Sequence, residues 1–154
     1  MITAWRITKK KFAQAALSGE GAELAGGRWN SPGTRVVYTS SSISLALLEI
    51  LVHVQKTRVL SAYLVIPARF QDHHLKHLDG ENLTQDWDTY PPSASTQTLG
   101  DKWVEDHPSL VLEVPSVIVP LETNYLINPA HPAFEQLDVG DPFELPLDAR
   151  LFGG

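Results

Sequence analysis

Arg28 stands in a glycine-rich run, Gly26-Gly27-Arg28-Trp29-Asn30-Ser31-Pro32-Gly33. Tyr38 follows in Val36-Val37-Tyr38-Thr39-Ser40, and Glu49 comes next, inside an apolar stretch. A guanidinium suits a phosphate because it offers paired N–H donors. A phenol ring can lie flat against a heterocycle, and a carboxylate steadies positive charge that develops beside it. A nucleotide ligand needs all three. The three residues fall on successive elements that short connections can bring together, so the sequence sets a spatial expectation: Arg28, Tyr38 and Glu49 share one cleft.

The elements that would position them follow from apolar periodicity and from turn residues. Ile2 to Ile7 alternates and reads as a strand with Trp5 and Arg6 on opposite faces. Phe12 to Leu17 reads as a short helix stopped at Ser18-Gly19. Gly19 to Gly33 reads as a loop ending in a Pro32-Gly33 turn. Arg35 to Ser40 is the next strand, and Ser41 or Ser42 can cap a helix from about Ile43 to Val54. Val59 to Ile66 has the composition of a central strand, ended by Pro67. Phe70 to Ser95 reads as irregular, and Thr98 to Asp106 as a short helix that carries Trp103. Leu110 to Val114 and Val117 to Val119 read as strands joined at Pro115-Ser116. Tyr125 to Ile127 is a short extended piece, Pro132 to Leu137 a helical turn, and the tail is extended. No repeat or linker divides residues 1–154, and the strands are not regularly interleaved with long helices. The pattern predicts one compact α+β domain with a mixed sheet and short helices.

Glu49 is unusual for its company. Positions 45, 48, 49, 52 and 53 share a helix face and hold Leu, Leu, Glu, Val and His, while Leu47, Ile50, Leu51 and Val54 make the other side apolar too. Its carboxylate therefore either lines a cleft or sits at a solvent edge, held by His53. Arg28 lies where the backbone can approach a ligand closely; the competing reading is a surface arginine. Arg6 has the rigidity of a strand and serves either a ligand or an ion pair. Tyr38 offers a stacking ring, or else a core ring with a satisfied hydroxyl. Ser116 lies between Pro115 and Val117, with no G-x-S-x-G elbow around it, so a serine-hydrolase nucleophile is not expected. His73, His74 and His77 lack a supporting ligand cluster, so no metal site is expected. No P-loop or complete G-x-G-x-x-G occurs.

Composition narrows the field. Of the 154 residues, 43% are hydrophobic and 19% charged, an ordinary globular balance. There is no cysteine, which excludes disulfides, thiolate zinc sites and a cysteine nucleophile. No apolar run reaches the roughly 20 residues of a membrane span, and no secretory pattern opens the chain, so a cytoplasmic location is expected. The formal net charge of −6 and the shortness of Lys9-Lys10-Lys11 as a basic run argue against direct nucleic-acid binding. A small anionic ligand requires only one or two well-placed arginines.

Taken in order, these segments resemble a known family. Arg6 in Trp-Arg-Ile, Gly27-Arg28-Trp29-Asn30, Val37-Tyr38-Thr39-Ser40 and Leu48-Glu49 resemble the N-terminal half of the RES domain. Gly100-Asp101-Lys102-Trp103, Val114-Pro115-Ser116 and the run from Asn124 to Pro132 are similar to its C-terminal half. The likeness extends from about residue 2 to residue 134. The family takes its name from an arginine, a glutamate and a serine, which the resemblance assigns to Arg28 (with Arg6 as a second candidate), Glu49 and Ser116.

The resemblance implies a bacterial type II toxin neutralised by an Xre-type helix-turn-helix antitoxin, with the two forming a hetero-oligomer around a dimeric antitoxin. It also implies a fold like that of ADP-ribosyltransferase toxins, and NAD as substrate rather than as a bound cofactor. The reaction it implies is cleavage between nicotinamide and ribose, with ADP-ribose passing to water, phosphate or a protein. Glu49 would then stabilise an oxocarbenium-like transition state. Arg6 and Arg28 would hold the pyrophosphate or the neighbouring ribose, Tyr38 would stack on the nicotinamide, and Ser40 would join the ligand contacts. Ser116 would bind ligand or shape the wall, and His53 would orient Glu49. The alternatives are an ADP-ribosyltransferase acting on a host protein, and a non-catalytic nucleotide- or partner-binding module on the same fold. A ribonuclease toxin is disfavoured by the acidic balance.

Overall fold

Eight residues of alternating character, Ile2–Lys9, form β1, which pairs antiparallel with β3, Tyr63–Phe70, along its whole length. A computed structural model describes residues 1–53 and 63–152 of the chain. The remaining named elements are α1 (Glu20–Ala25), β2 (Val37–Ser40), α2 (Ile43–Leu51), β4 (Leu75–His77), α3 (Ala94–Asp106), β5 (Val111–Pro115), β6 (Thr123–Ile127), β7 (Asp138–Val139) and β8 (Phe143–Glu144). The eight strands make one sheet in the order β4-β5-β6-β2-β1-β3-β7, with β8 also on β3. Its pairs are antiparallel apart from β4 with β5, which is parallel. The architecture is a mixed α+β fold of one sheet and a few short helices.

Register decides what each face carries. Paired residues point to the same side of a sheet, so Val114, Asn124, Ser40, Trp5 and Pro67 form one row across five strands. The face with this row carries two apolar clusters. One, around Trp29, Trp103, Leu112 and Leu126, lies under α3. The other, around Ile7, Ala46, Tyr63 and Val65, lies under α2. Between them the row turns polar at Asn124 and Ser40. The opposite face holds a third cluster, with Phe70, Val111, Ile127 and Ala68 covered by Leu137 and Phe134. Each fully buried Leu, Ile or Phe there contributes about 1.5–3 kcal/mol.

β1 and β2 are joined by a single rung, Trp5 to Ser40. Past it the strands part. Arg6 Nη1 reaches across the gap and donates to the Tyr38 carbonyl at 3.1 Å. The sheet thus opens beside Arg6, and the cleft begins at that opening.

Several elements depart from the periodicity reading. The segment from Gly19 to Gly33 contains α1, because Gly19 and Gly26 flank the helix as its caps and Glu20 and Glu23 occupy its first turn. Residues Lys10–Ala15 form a 3-10 turn instead of a helix at Phe12 to Leu17. Pro67 does not end its strand; β3 runs on to Phe70. The Pro67 carbonyl accepts from Gly140 N at 2.9 Å, so the missing N–H faces the turn between β7 and β8, where no ladder bond is needed. Val117 to Val119 is a turn, and the strand that returns antiparallel to β5 is Thr123–Ile127. The irregular stretch contains β4, and α3 starts earlier than expected, at Ala94. α2 ends at Leu51, while Val54 and residues 59–62 of the expected strand lie outside the described residues.

Candidate active site

A cleft of about 1540 Å3 runs over the polar part of the row, between α2 and residues 26–29. That volume exceeds the roughly 300–1,000 Å3 of most small-ligand sites and leaves room for a dinucleotide. Arg6, Arg28, Tyr38, Ser40, Glu49 and His53 all line it, so the residues expected to meet do meet. Although the chain carries a formal charge of −6, Arg6, Lys9, Lys10, Lys11 and Arg28 line the cleft against the acids Glu20 and Glu49. The local field therefore favours an anion.

Glu49 is carried by α2, which starts cleanly because Ser42 Oγ accepts from Leu45 N. The carboxylate is half-buried and turned onto the row beneath. Ser116 Oγ donates to its Oε1 at 2.9 Å, and Asn124 Nδ2 donates to the same oxygen at 2.7 Å. Both partners are themselves fixed. Asn124 Oδ1 accepts from Ser40 Oγ at 2.8 Å, while Ser116 Oγ accepts from the backbone N–H groups of Ile118 and Val119 at 3.1 Å. Ser116 is fully buried behind the carboxylate and does not face the cleft. Its hydrogen goes to Glu49, so it acts as an orienting group. Among the described residues both bonds fall on Oε1, and Glu49 itself lines the cleft. His53, just beyond the helix end, lines the cleft but is exposed and makes no bond to Glu49.

Arg28 sits on a tight turn closed by a Gly27–Asn30 bridge. Tyr38 holds that turn from below. Its hydroxyl accepts from Trp29 N at 3.0 Å and donates to Asn30 Oδ1 at 2.6 Å. Gly27 is required at this point, because a Cβ there would come within 2.7 Å of the Tyr38 hydroxyl. Asn30 Nδ2 donates to the carbonyls of Ala22 and Thr34, Gln97 Nε2 to that of Gly27, and Ser31 N to Asp101 Oδ1. The tyrosine that composition offers as a stacking ring is thus also a structural clamp. Burial pushes its phenol pKa well above the ordinary value.

The Arg28 side chain crosses the cleft mouth, and its Nη1 donates to the carbonyls of Trp87 at 2.9 Å and Thr89 at 2.8 Å. Partial burial lowers its pKa, against the opposing pull of Glu49, Asp88 and Tyr38, and it stays cationic. Arg6 is the deeper of the two arginines. Its Nε is shut off from solvent with no hydrogen-bond partner among the described residues, and burial lowers its pKa as well. A buried, unpaired guanidinium N–H is costly unless a ligand oxygen fills the gap.

Asn124 escaped the sequence reading as a site residue. It lies far from Glu49 in the chain, and its segment reads as a strand. The available signals were a polar residue at the head of an apolar run and its place at the start of the Asn124 to Pro132 run that resembles the family. The histidines lie elsewhere: His74 Nε2 meets Gln136 Oε1 at 3.0 Å and His77 Nδ1 meets Glu113 Oε1 at 3.0 Å. Among the described residues no group of three His, Asp or Glu could hold a metal ion, and no helix is long and apolar enough to cross a membrane.

Residues 3–148 match the family described as the RES domain. A protein of Yersinia enterocolitica named Toxin Res is 37% identical over 148 residues, covering 96% of this chain and 97% of its own. The Prs ADP-ribosylating toxin of a Sphingobium species is 41% identical over 134 residues, covering 83% of each chain. Among solved structures, a chain of the M. tuberculosis MbcT–MbcA toxin–antitoxin complex matches with a TM-score of 0.74. The match covers 99% of this chain and 87% of that one at 22% identity, a likeness of fold.

Proposed function

The chain belongs to the RES domain family, and from that premise we propose that it is a toxin enzyme that cleaves the nicotinamide–ribose bond of NAD. The observation that carries this reading is the doubly held Glu49 carboxylate, turned into a cleft that two arginines also line.

Nicotinamide is already cationic in NAD. When the C–N bond breaks, its electron pair returns to the ring nitrogen and the leaving group departs neutral. The positive charge passes to the ribose, as in the oxocarbenium-like transition states of glycoside cleavage. Glu49 is placed to stabilise that charge and to accept a hydrogen bond from a ribose hydroxyl, an effect that grows where water is excluded. Because Ser116 and Asn124 fix the carboxylate beforehand, little reorganisation is needed during the reaction. Arg6 and Arg28 take the pyrophosphate, with Arg6 Nε supplying a donor that no group among the described residues uses. The Tyr38 ring forms the wall for the nicotinamide while its hydroxyl holds the Arg28 turn.

Glu49→Ala is expected to lower turnover by about 10³-fold with a much smaller change in NAD binding. Intracellular NAD after induced expression, compared with this variant, is the direct measurement; equal depletion by both would remove the mechanism. Free ADP-ribose among the products identifies water as acceptor, and ADP-ribose 1-phosphate identifies phosphate. A second reading, transfer to a protein, is favoured by the relative named as an ADP-ribosylating toxin, and labelled NAD would then mark a protein band. By the same family logic the partner is an Xre-type antitoxin that blocks the cleft. Loss of NAD cleavage on adding the product of a neighbouring helix-turn-helix gene tests this.

A further inference from the structure

Tyr90 stands out among the exposed side chains. It is an aromatic residue at 80% exposure, and it lines the cleft. The segment that presents it is tied down on both sides. Arg28 Nη1 grips the carbonyls of Trp87 and Thr89, and the second of these carbonyls is bonded directly to the Tyr90 nitrogen. Thr89 Oγ1 donates to the Asp86 carbonyl at 2.9 Å, and the Asp86 carboxylate accepts from Ser95 Oγ at 2.9 Å and from Thr84 Oγ1. Trp87 packs against the cluster under α3. Pro91 and Pro92 follow, each with its φ fixed by the ring, and Pro92 also lines the cleft. Such anchoring, with the phenol ring left uncovered, presents a flat apolar surface at the rim.

Position along the cleft assigns a use to it. Glu49 is held down against the sheet by Ser116 and Asn124, while Arg28 bonds the Thr89 carbonyl, one peptide bond before the exposed Tyr90. A dinucleotide with its nicotinamide ribose at Glu49 and its pyrophosphate at Arg28 carries its other base past the arginine. We propose that Tyr90 is the platform on which this second base, the adenine of NAD, stacks, which makes it a specificity residue for dinucleotides over mononucleotides. This assignment rests on the NAD-cleaving reading. Stacking on an exposed ring suits the task because every base has a π face and the loop is ordered before the ligand arrives.

The test compares NAD with nicotinamide mononucleotide, which keeps the scissile bond and one phosphate but lacks the adenosine half. In Tyr90→Ala the ratio of kcat/KM for NAD to kcat/KM for the mononucleotide should fall about tenfold, mostly through KM. Tyr90→Trp should restore it. An unchanged ratio in Tyr90→Ala, or a parallel fall for both nucleotides, would overturn the assignment; the parallel fall would place the ring on the nicotinamide side. ADP-ribose binding by calorimetry gives an independent check, because it requires no turnover: Tyr90→Ala should bind about tenfold more weakly, and equal binding counts against the platform. If the wild-type chain cleaves neither nucleotide, the glycosidic reading fails, and the ADP-ribose titration still decides the platform by itself.

Discussion

At the floor of the cleft, Glu49 is held by Ser116 and Asn124, whose own partners lie in paired strands or in the turn that joins them. At the rim, Arg28 is held by two carbonyls of a segment outside the sheet. The floor is a product of strand register and does not depend on what enters the cleft. The rim is tied to the cleft through one guanidinium, which under the proposed function also receives the incoming phosphate. The difference teaches where each kind of effect should appear: damage to the floor should lower kcat, and damage to the rim should raise KM.

The strongest perturbation separates the two regions through stability. A Cβ at position 100 would lie 1.6 Å from the Trp29 carbonyl oxygen, backbone against backbone. Alanine ordinarily strengthens a helix interior relative to glycine by up to about 1 kcal/mol. Here Gly100→Ala should instead destabilise by about 3 kcal/mol, because α3 and the Arg28 turn must move apart. Urea denaturation measures this, and an unshifted midpoint would break the claim that α3 supports the rim.

Asn124→Ala removes one of the two donors to Oε1 and should lower kcat about 10²-fold, with little change in KM. Arg28→Ala should do the reverse, raising KM about tenfold while kcat stays within about threefold. Steady-state kinetics on this pair sharpens the contrast, and a swapped pattern would refute it.

The smallest effect belongs to Tyr38. Tyr38→Phe leaves Trp29 N and Asn30 Oδ1 without their shared partner and should cost about 1–2 kcal/mol at neutral pH. The wild-type advantage also depends on pH. Burial raises the phenol's folded-state pKa above its ordinary 10.0. The stabilisation is therefore complete below pH 10.0 and shrinks as pH climbs from there toward the raised value. Denaturation of both proteins between pH 8 and about 11 should show the gap closing at the alkaline end. A constant gap would mean that the hydroxyl is not shielded as the structure has it.

Legibility in the sequence followed the range of the interactions. The α2 helix was readable because its apolar spacing and the Ser42 cap are local. β1 and β2 were readable for the same reason, through alternation. α1 was hidden, since glycines that cap a short helix look like glycines in a loop. Pro67 read as a strand terminator, because nothing local says that its missing N–H faces a turn between two tail strands. Val117 to Val119 has strand composition yet forms a turn, as Ser116 takes backbone N–H groups from it and donates to Glu49.

The sequence alone determined the chemical inventory: one carboxylate on a greasy helix, arginines near glycines and on a strand, a tyrosine ahead of a serine cap, and no cysteine. It determined some local elements too, α2 and β1 among them, because propensity, alternation and capping act within a few residues. Only the tertiary structure decided that Asn124 lies next to Ser40 in a row across the sheet, under Glu49, and that Arg28 clasps a segment far along the chain. The physical reason is that strand register and loop docking are fixed by contacts between residues remote in sequence. A shift of one residue in β6 would turn Asn124 to the other face, and no local pattern around it records which register wins.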